Sequence, residues 1–302
     1  MQKLKETILK VESKSKHLLF GIPLFGEWLE KSLFRRRWET ELRLLNGENF
    51  SSSSHPSILH LTLNRSASQW VKSVLHRCAI QNGIVHVRWN EMAFNSGYPF
   101  LDSLESVEKY EHILHPEGYL YSAFGGYPKG IPEVERYKIV LLVRDPRDIL
   151  VSRYFSMRDS HKPPPRESNK REEFLSERAN VRQMTVDEFV LDKSSELLAD
   201  YECYLNELLP SHPDVHLTRY EDMVDDVDQW LDRLLSYVEL SVSNELRAEI
   251  IEEARSIQSK GEEIMDHNRK GKPGDHREKL QSSTIDELND EFSQVLNRFG
   301  YR

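Results

Sequence analysis

Three short stretches of this chain set positive charge beside small residues, the combination that holds an anionic group. The first, Asn64-Arg65-Ser66-Ala67-Ser68, follows the apolar run from Ser57 to Leu63 and precedes a helical pattern. A strand–loop–helix turn presents free amides at a helix N-terminus, and here Arg65 and the hydroxyls of Ser66 and Ser68 add to that field. In the second, Arg144 stands directly after the apolar Ile139–Val143 run, and Ser152 follows eight residues later. The C-terminal edge of a parallel strand is where open α/β sheets bind ligands. The third, Arg269-Lys270-Gly271, puts two cations next to a glycine that lets a ligand approach the backbone. Each has a plainer reading: a solubilising loop, an ion pair from Arg144 to Asp145 or Asp148, and a solvated charge run. With 41 Lys+Arg against 50 Asp+Glu the chain carries a net charge of −9, so these loops are local islands of positive charge. One ligand with phosphates at two ends accounts for all three together. The acidic balance argues against general nucleic-acid binding. A Walker A motif is absent, since no G-x-x-x-x-G-K-[ST] occurs.

The elements that must position these loops are legible in outline. Ser57–Leu63 reads as a buried strand, and Trp70, Val71, Val74, Leu75, Cys78 and Ala79 share one face of the helix after it, with Gly83 as its stop. Lys138–Val143 repeats the logic: Asp145 caps the next helix and Pro146 takes its first position. Val215–Thr218 reads as a third strand, before a helix over Val227–Tyr237. Such alternation predicts a parallel sheet covered by helices. Residues 161–173, with Pro163-Pro164-Pro165, read as a loop, and Asn244–Met265 as a helix. A closing helix is predicted with Thr284 and Glu287 as capping box and a stripe of Ile285, Leu288, Phe292, Val295, Leu296 and Phe299. No internal repeat is found.

Taken together, the motifs resemble the sulfotransferases that use 3′-phosphoadenosine 5′-phosphosulfate (PAPS). Residues 62–71 look like that family's 5′-phosphosulfate loop, and residues 142–152 like its 3′-phosphate motif. Arg269-Lys270-Gly271-Lys272-Pro273-Gly274-Asp275 and Tyr220-Glu221-Asp222-Met223 are similar to motifs of its cytosolic branch. The four fall in the family's order across residues 57–280, and the ordered set is specific. The resemblance implies an α/β fold with a P-loop-like three-layer core, a central parallel sheet flanked by helices. It implies that Arg65 contacts the phosphosulfate, that Ser66, Ala67, Ser68 and Gln69 wrap the 5′-phosphate, and that Trp70 and Tyr220 meet the adenine. Arg144, Ser152, Arg269, Lys270 and Gly271 would hold the 3′-phosphate. For Trp70, a place in the helix core remains the other reading.

Two positions depart from the family. Ala67 stands in place of the usual Gly, and Tyr119–Phe124, which matches the stretch carrying the family's Thr-His pair, has no His. Glu91, 26 residues after Arg65, is the expected base; His86, His112 and His115 are the alternatives. The expected activity is transfer of a sulfuryl group from PAPS to a hydroxyl or amine of a small-molecule, lipid or carbohydrate acceptor, without a metal or nucleic acid. The rival readings are a catalytically silent module binding PAPS or adenosine bisphosphate, and a P-loop nucleoside kinase. The aromatic-rich region from Phe94 to Pro128 offers either an acceptor pocket or ordinary core.

Two cysteines, Cys78 and Cys203, form no disulfide framework and lack metal-site spacing, so they read as reduced thiols of a cytoplasmic protein. No apolar run long enough for a membrane span is found. The 18–38 region, ending in Arg35-Arg36-Arg37-Trp38, reads first as an amphipathic region packed on the domain with a solvated basic end and alternatively as a contact with an anionic membrane surface, and a homodimer is left open. The expected division is an N-terminal extension, 1–54, joined through Ser51–Ser54 to an α/β domain, 55–302.

Overall fold

A computed structural model describes residues 31–161, 163, 170–212, 214–259 and 272–301. The chain divides into two compact units, 1–49 and 50–302. In the first, helix α1 (Glu39–Leu45) has Glu39 and Glu41 in its first turn and Arg43 in its last, matching the helix dipole. Residues 18–30 lie outside the described residues; Arg35, Arg36 and Arg37 are exposed.

The second unit begins its sheet with β1 (Ile58–Thr62) and continues through α2 (Ser68–Gln81), β2 (Val85–Val87), α3 (Trp89–Phe94), β3 (Tyr119–Phe124) and β4 (Lys138–Val143). Then come α4 (Pro146–Phe155), α5 (Lys170–Val181), α6 (Val186–Cys203), β5 (Val215–Arg219), α7 (Tyr220–Asp225), α8 (Val227–Tyr237) and α9 (Asn244–Ser259). The last described helices are α10 (Asp275–Lys279), α11 (Ser282–Glu291) and α12 (Ser293–Phe299). All five strands are parallel, in the order β2-β3-β1-β4-β5. Burial on both faces explains the unbroken apolar run of Ile139–Val143 in β4 and the mostly apolar β1, in which His60 and Thr62 are buried as well. One face packs Ile58, Leu120, Val140 and Leu142 against Val71, Val74, Leu75, Cys78 and Ala79 of α2, and against α8 and α9.

The first helix start and the Asp145–Pro146 start lie where the sequence puts them, and Asp145 accepts the Arg147 N–H at 3.0 Å as cap. Three readings are corrected. Lys170–Glu173 belong to α5 rather than to a loop, because Lys-Arg-Glu-Glu are good helix formers with acids at the positive end. The closing helix is two helices, broken at Phe292, and Thr284 lies inside the first, whose N-cap is Gln281. The capping box is instead at Thr185 and Glu188, opening α6. Strands β2 and β3 were not read, the former because three residues carry no period and the latter because its tyrosines do not alternate with polar residues. Of the helix expected over Asn244–Met265, residues 260–265 lie outside the described residues.

Candidate functional site

The register of β1 and β4 builds the site. Thr62 lies opposite Leu142, so the next residues leave the sheet side by side and Arg144 emerges next to the turn carrying Arg65. The Arg144 Nη1 donates to the Arg65 carbonyl at 2.8 Å, and the Arg65 Nε donates to Ser152 Oγ of α4 at 3.1 Å. Two of the cationic loops are thus one cluster.

The turn itself is bent by two left-handed residues, Arg65 at φ 75° and Ala67 at φ 62°. Such turns curl successive amides toward one side, forming an anion-binding concavity. Ala67 is the N-cap of α2, and the first helical amides to bond back, from Trp70 and Val71, reach its carbonyl at 3.0 and 3.1 Å. The N–H groups of the first turn before them have no carbonyl inside the helix. Ser66, within the turn, is fully buried and among the described residues its hydroxyl has no hydrogen-bond partner. The Trp70 indole N–H and the Arg144 Nε are likewise buried and unpartnered. Three of the fourteen such atoms among the described residues thus belong to residues of these two loops and the start of α2, as donors that a polar ligand there would satisfy.

The 144 corner is held rigidly. Tyr201 donates its hydroxyl to the Arg144 carbonyl, and Glu221 accepts the Asp145 N–H at 3.0 Å. Arg147 turns back on the Asp145 carboxylate, at 2.9 Å through Nε and 2.6 Å through Nη2. Burial pushes the Glu221 carboxyl up to about 7. The Arg144 guanidinium lies 4.3 Å from the Tyr220 ring centroid and 3.9 Å from Asp148. Of the two acids named as its partners from sequence, Asp148 is the one it approaches, and Asp145 serves Arg147. Trp70 sits half-buried on Trp230, with ring centroids 5.5 Å apart, so part of it is helix core.

Residues Arg269, Lys270 and Gly271 lie outside the described residues. The segment just after them is anchored at the site: Asp148 accepts the Gly274 N–H at 2.6 Å, the His276 N–H at 2.9 Å, and lies 2.7 Å from the His276 Nδ1. Burial alone would raise the Asp148 carboxyl; the His276 hydrogen bond and the Arg144 charge overcome it and hold the group at about 2. Sequence reasoning assigned Asp148 only to a helix dipole or an Arg144 pair. Its tie to residues 126 and 128 positions away has no local signal.

Glu91, on α3, is ion-paired with Lys72 of α2, one turn beyond Ser68, and its other oxygen lies 3.9 Å from Arg88. His86 shares a 2.6 Å hydrogen bond with Ser122, and burial lowers its pKa to about 3.

The family model described as Sulfotransferase domain matches residues 56–300. No curated protein matches the chain. Among solved structures, mouse sulfotransferase SULT7A1 complexed with PAP aligns with a TM-score of 0.51 at 18% identity, covering 84% of this chain and 88% of that one. At that identity the likeness carries the fold. Retinol dehydratase in a complex with retinol and PAP aligns at 0.45 and 14% identity, covering 84% of this chain and 85% of that one. The same enzyme with androsterone and PAP aligns at 0.43 and 14%, covering 84% of each.

Proposed function

Because the chain belongs to the sulfotransferase domain family, we propose that it transfers a sulfuryl group from PAPS to a hydroxyl or amine of a small-molecule, lipid or carbohydrate acceptor. The observation that carries this reading is the meeting of Arg65, Arg144 and Ser152 at a helix N-terminus, beside a buried Ser66 hydroxyl that has no partner among the described residues. The unmet donors and free amides fit a nucleotide with phosphates at both ends.

Each residue then has a role set by its chemistry. The amides and hydroxyls from Ser66 to Gln69 hold the 5′-phosphate end, where the helix dipole favours negative charge. Arg65 offsets the charge that builds on the leaving oxygen, and does so without reorganisation because Ser152 fixes its guanidinium. Arg144, propped by Tyr220 and Asp148, holds the 3′-phosphate with Ser152 and, in this reading, with Arg269, Lys270 and Gly271. Trp70 and Tyr220 supply the aromatic surface for adenine. The donor supplies the sulfuryl group, and the acceptor must surrender a proton to a base, for which Glu91 is the sequence-derived choice. Residues 55–302 carry the activity in this reading, and 1–54 form an extension whose 18–38 stretch is the point of any membrane contact. A homodimer and a cytoplasmic setting complete the reading. Among the described residues no helix is long and apolar enough to cross a membrane.

The test is calorimetric binding of PAP together with transfer of labelled sulfur from PAPS to a panel of hydroxylated and amine acceptors. Binding and transfer are expected, with Arg65→Ala abolishing transfer while the fold stays intact. Near-normal turnover in that variant would remove Arg65 from its role, and binding without transfer by the parent protein favours the silent module.

A further inference from the structure

The end of β3 presents Ser122 and Ala123, neither of which titrates near neutrality. A different carboxylate is delivered to the same edge of the sheet. Asp102, in the short turn Leu101–Ser103, accepts at Oδ2 the N–H groups of Gly125 at 2.5 Å and Gly126 at 3.1 Å, and the Asn90 Nδ2 at 3.0 Å. Those glycines are the first two residues past β3. The pairing of Leu61 with Phe124 sets Gly125 level with the end of β1. The Tyr204 hydroxyl confirms the closeness, lying 3.4 Å from the Thr62 carbonyl and 3.3 Å from that of Gly125. Arg65 is three residues beyond Thr62. The approach is close: a Cβ on Gly126 would lie 3.2 Å from the Asp102 carbonyl oxygen, which would have to give by a few tenths of an ångström.

The carboxylate is also oriented. Three neutral donors from other residues converge on Oδ2, Asp102's own N–H also supports the carboxylate, no donor from another described residue is bonded to Oδ1, and the side chain is only partly buried. Glu91 differs on this point, because its charge is shared with Lys72 and Arg88. A fixed carboxylate with one oxygen left unclaimed by its neighbours, and with no ion pair among the described residues, is the better proton acceptor. Resting on the sulfotransferase reading, we propose that Asp102 is the catalytic base of this chain, with Oδ1 taking the proton of the acceptor hydroxyl and Asn90, Gly125 and Gly126 orienting it. Burial raises its proton affinity above that of an ordinary carboxylate, which strengthens the base further. The acceptor oxygen bonds to sulfur as its O–H bond breaks; the bond from sulfur to the bridging oxygen breaks, and its electron pair leaves on the 5′-phosphate of PAP. The proton on Oδ1 passes to solvent.

The experiment compares the parent protein, Asp102→Asn and Glu91→Gln. PAP affinity and thermal unfolding are measured without acceptor, and PAPS-dependent sulfation is measured across acceptors from 4-nitrophenol through phenol to 2-phenylethanol. For Asp102→Asn, PAP affinity is expected within a factor of about 2 and kcat for the least acidic acceptors down by roughly 10²–10⁴-fold. The deficit should shrink toward 4-nitrophenol, which arrives already ionised in mildly alkaline buffer. A merely structural role lowers all acceptors alike, and that uniform loss overturns the assignment. So does an acidity-dependent loss seen only in Glu91→Gln. Should Asp102→Asn fail to fold, Asp102→Glu retains a carboxylate displaced by one methylene. Its kcat loss should carry the same dependence on acceptor acidity, and a uniform loss overturns the proposal again. A parent protein that binds PAP and sulfates amines but no hydroxyl removes this inference alone; one that binds PAP and transfers to neither favours the silent module, and one that binds no PAP removes the sulfotransferase reading altogether.

Discussion

At Ala67 a side chain sits where the backbone would favour none. Its φ of 62° places an L-residue in the left-handed region, at a cost of about 1–2 kcal/mol. The turn keeps this conformation because Arg65 and Ala67 are locked between β1 and α2, with the Arg65 carbonyl held by Arg144. Ala67→Gly is expected to stabilise the protein by about 1 kcal/mol, less the extra entropy glycine loses on folding. With about 2–4 °C per kcal/mol in a domain of this size, the net gain corresponds to a rise of roughly 1–2 °C in Tm. Differential scanning calorimetry decides it, and a fall in Tm would mean that the turn is not strained at this residue. Arg65 shares the left-handed geometry, and its replacement by Ala keeps a Cβ there, so the loss of transfer in that variant reads the guanidinium rather than the backbone.

Among the elements, α4 does most to assemble the site. Its N-cap Asp145, its second turn at Ser152 and its buried Asp148 face three different segments of the chain. Asp148 joins α4 to the start of α10 through two backbone amides and an imidazole. Asp148→Asn leaves at least one of those donors unmet in a site with no solvent access, so a loss of about 2–4 kcal/mol is expected in denaturant unfolding. PAP affinity should fall with it, because residues 269–271 directly precede the anchored segment. Retained affinity in the destabilised variant would separate the anchor from ligand binding. The Asp148 carboxyl, held at about 2, contributes stability that is present above the ordinary carboxylate range and lost as pH falls toward 2.

For the whole molecule, buried titratable groups set opposite trends with pH. His60, fully buried on β1, and His86 both have pKa values lowered to about 3, chiefly by burial. Below 6.5 the unfolded chain binds protons there that the folded chain refuses, so stability falls as pH drops from 6.5 toward 3. For His60 the slope is up to about 1.4 kcal/mol per pH unit. Glu221 works the other way: with its carboxyl raised to about 7, the folded form binds a proton that the unfolded one has released, and stability falls as pH rises from 4.5 to 7. His60→Leu should flatten the acid-side loss, and Glu221→Gln should steepen the net rise between pH 4.5 and 6.5. Urea midpoints measured across pH 4–7 check both, and unchanged slopes in either variant would show that the group titrates alike in both states.

The two cationic loops at β1 and β4 were readable because each is local: a strand, a tight turn and a helix start within about a dozen residues, with the charge and hydroxyls in the turn. Composition and period could go that far. They could also mislead where two stretches look alike, since Thr185-x-x-Glu188 and Thr284-x-x-Glu287 share one pattern and only the first begins a helix. What the sequence by itself determined was which residues carry charge and which segments prefer strand or helix, because those preferences act over a few neighbours. The tertiary structure alone decided that Arg65 rests on Ser152, that Asp148 holds a segment 126 residues away, and that Asp102 reaches the turn after β3. Sheet register and packing bring such groups together, and neither is written in the spacing of any one segment.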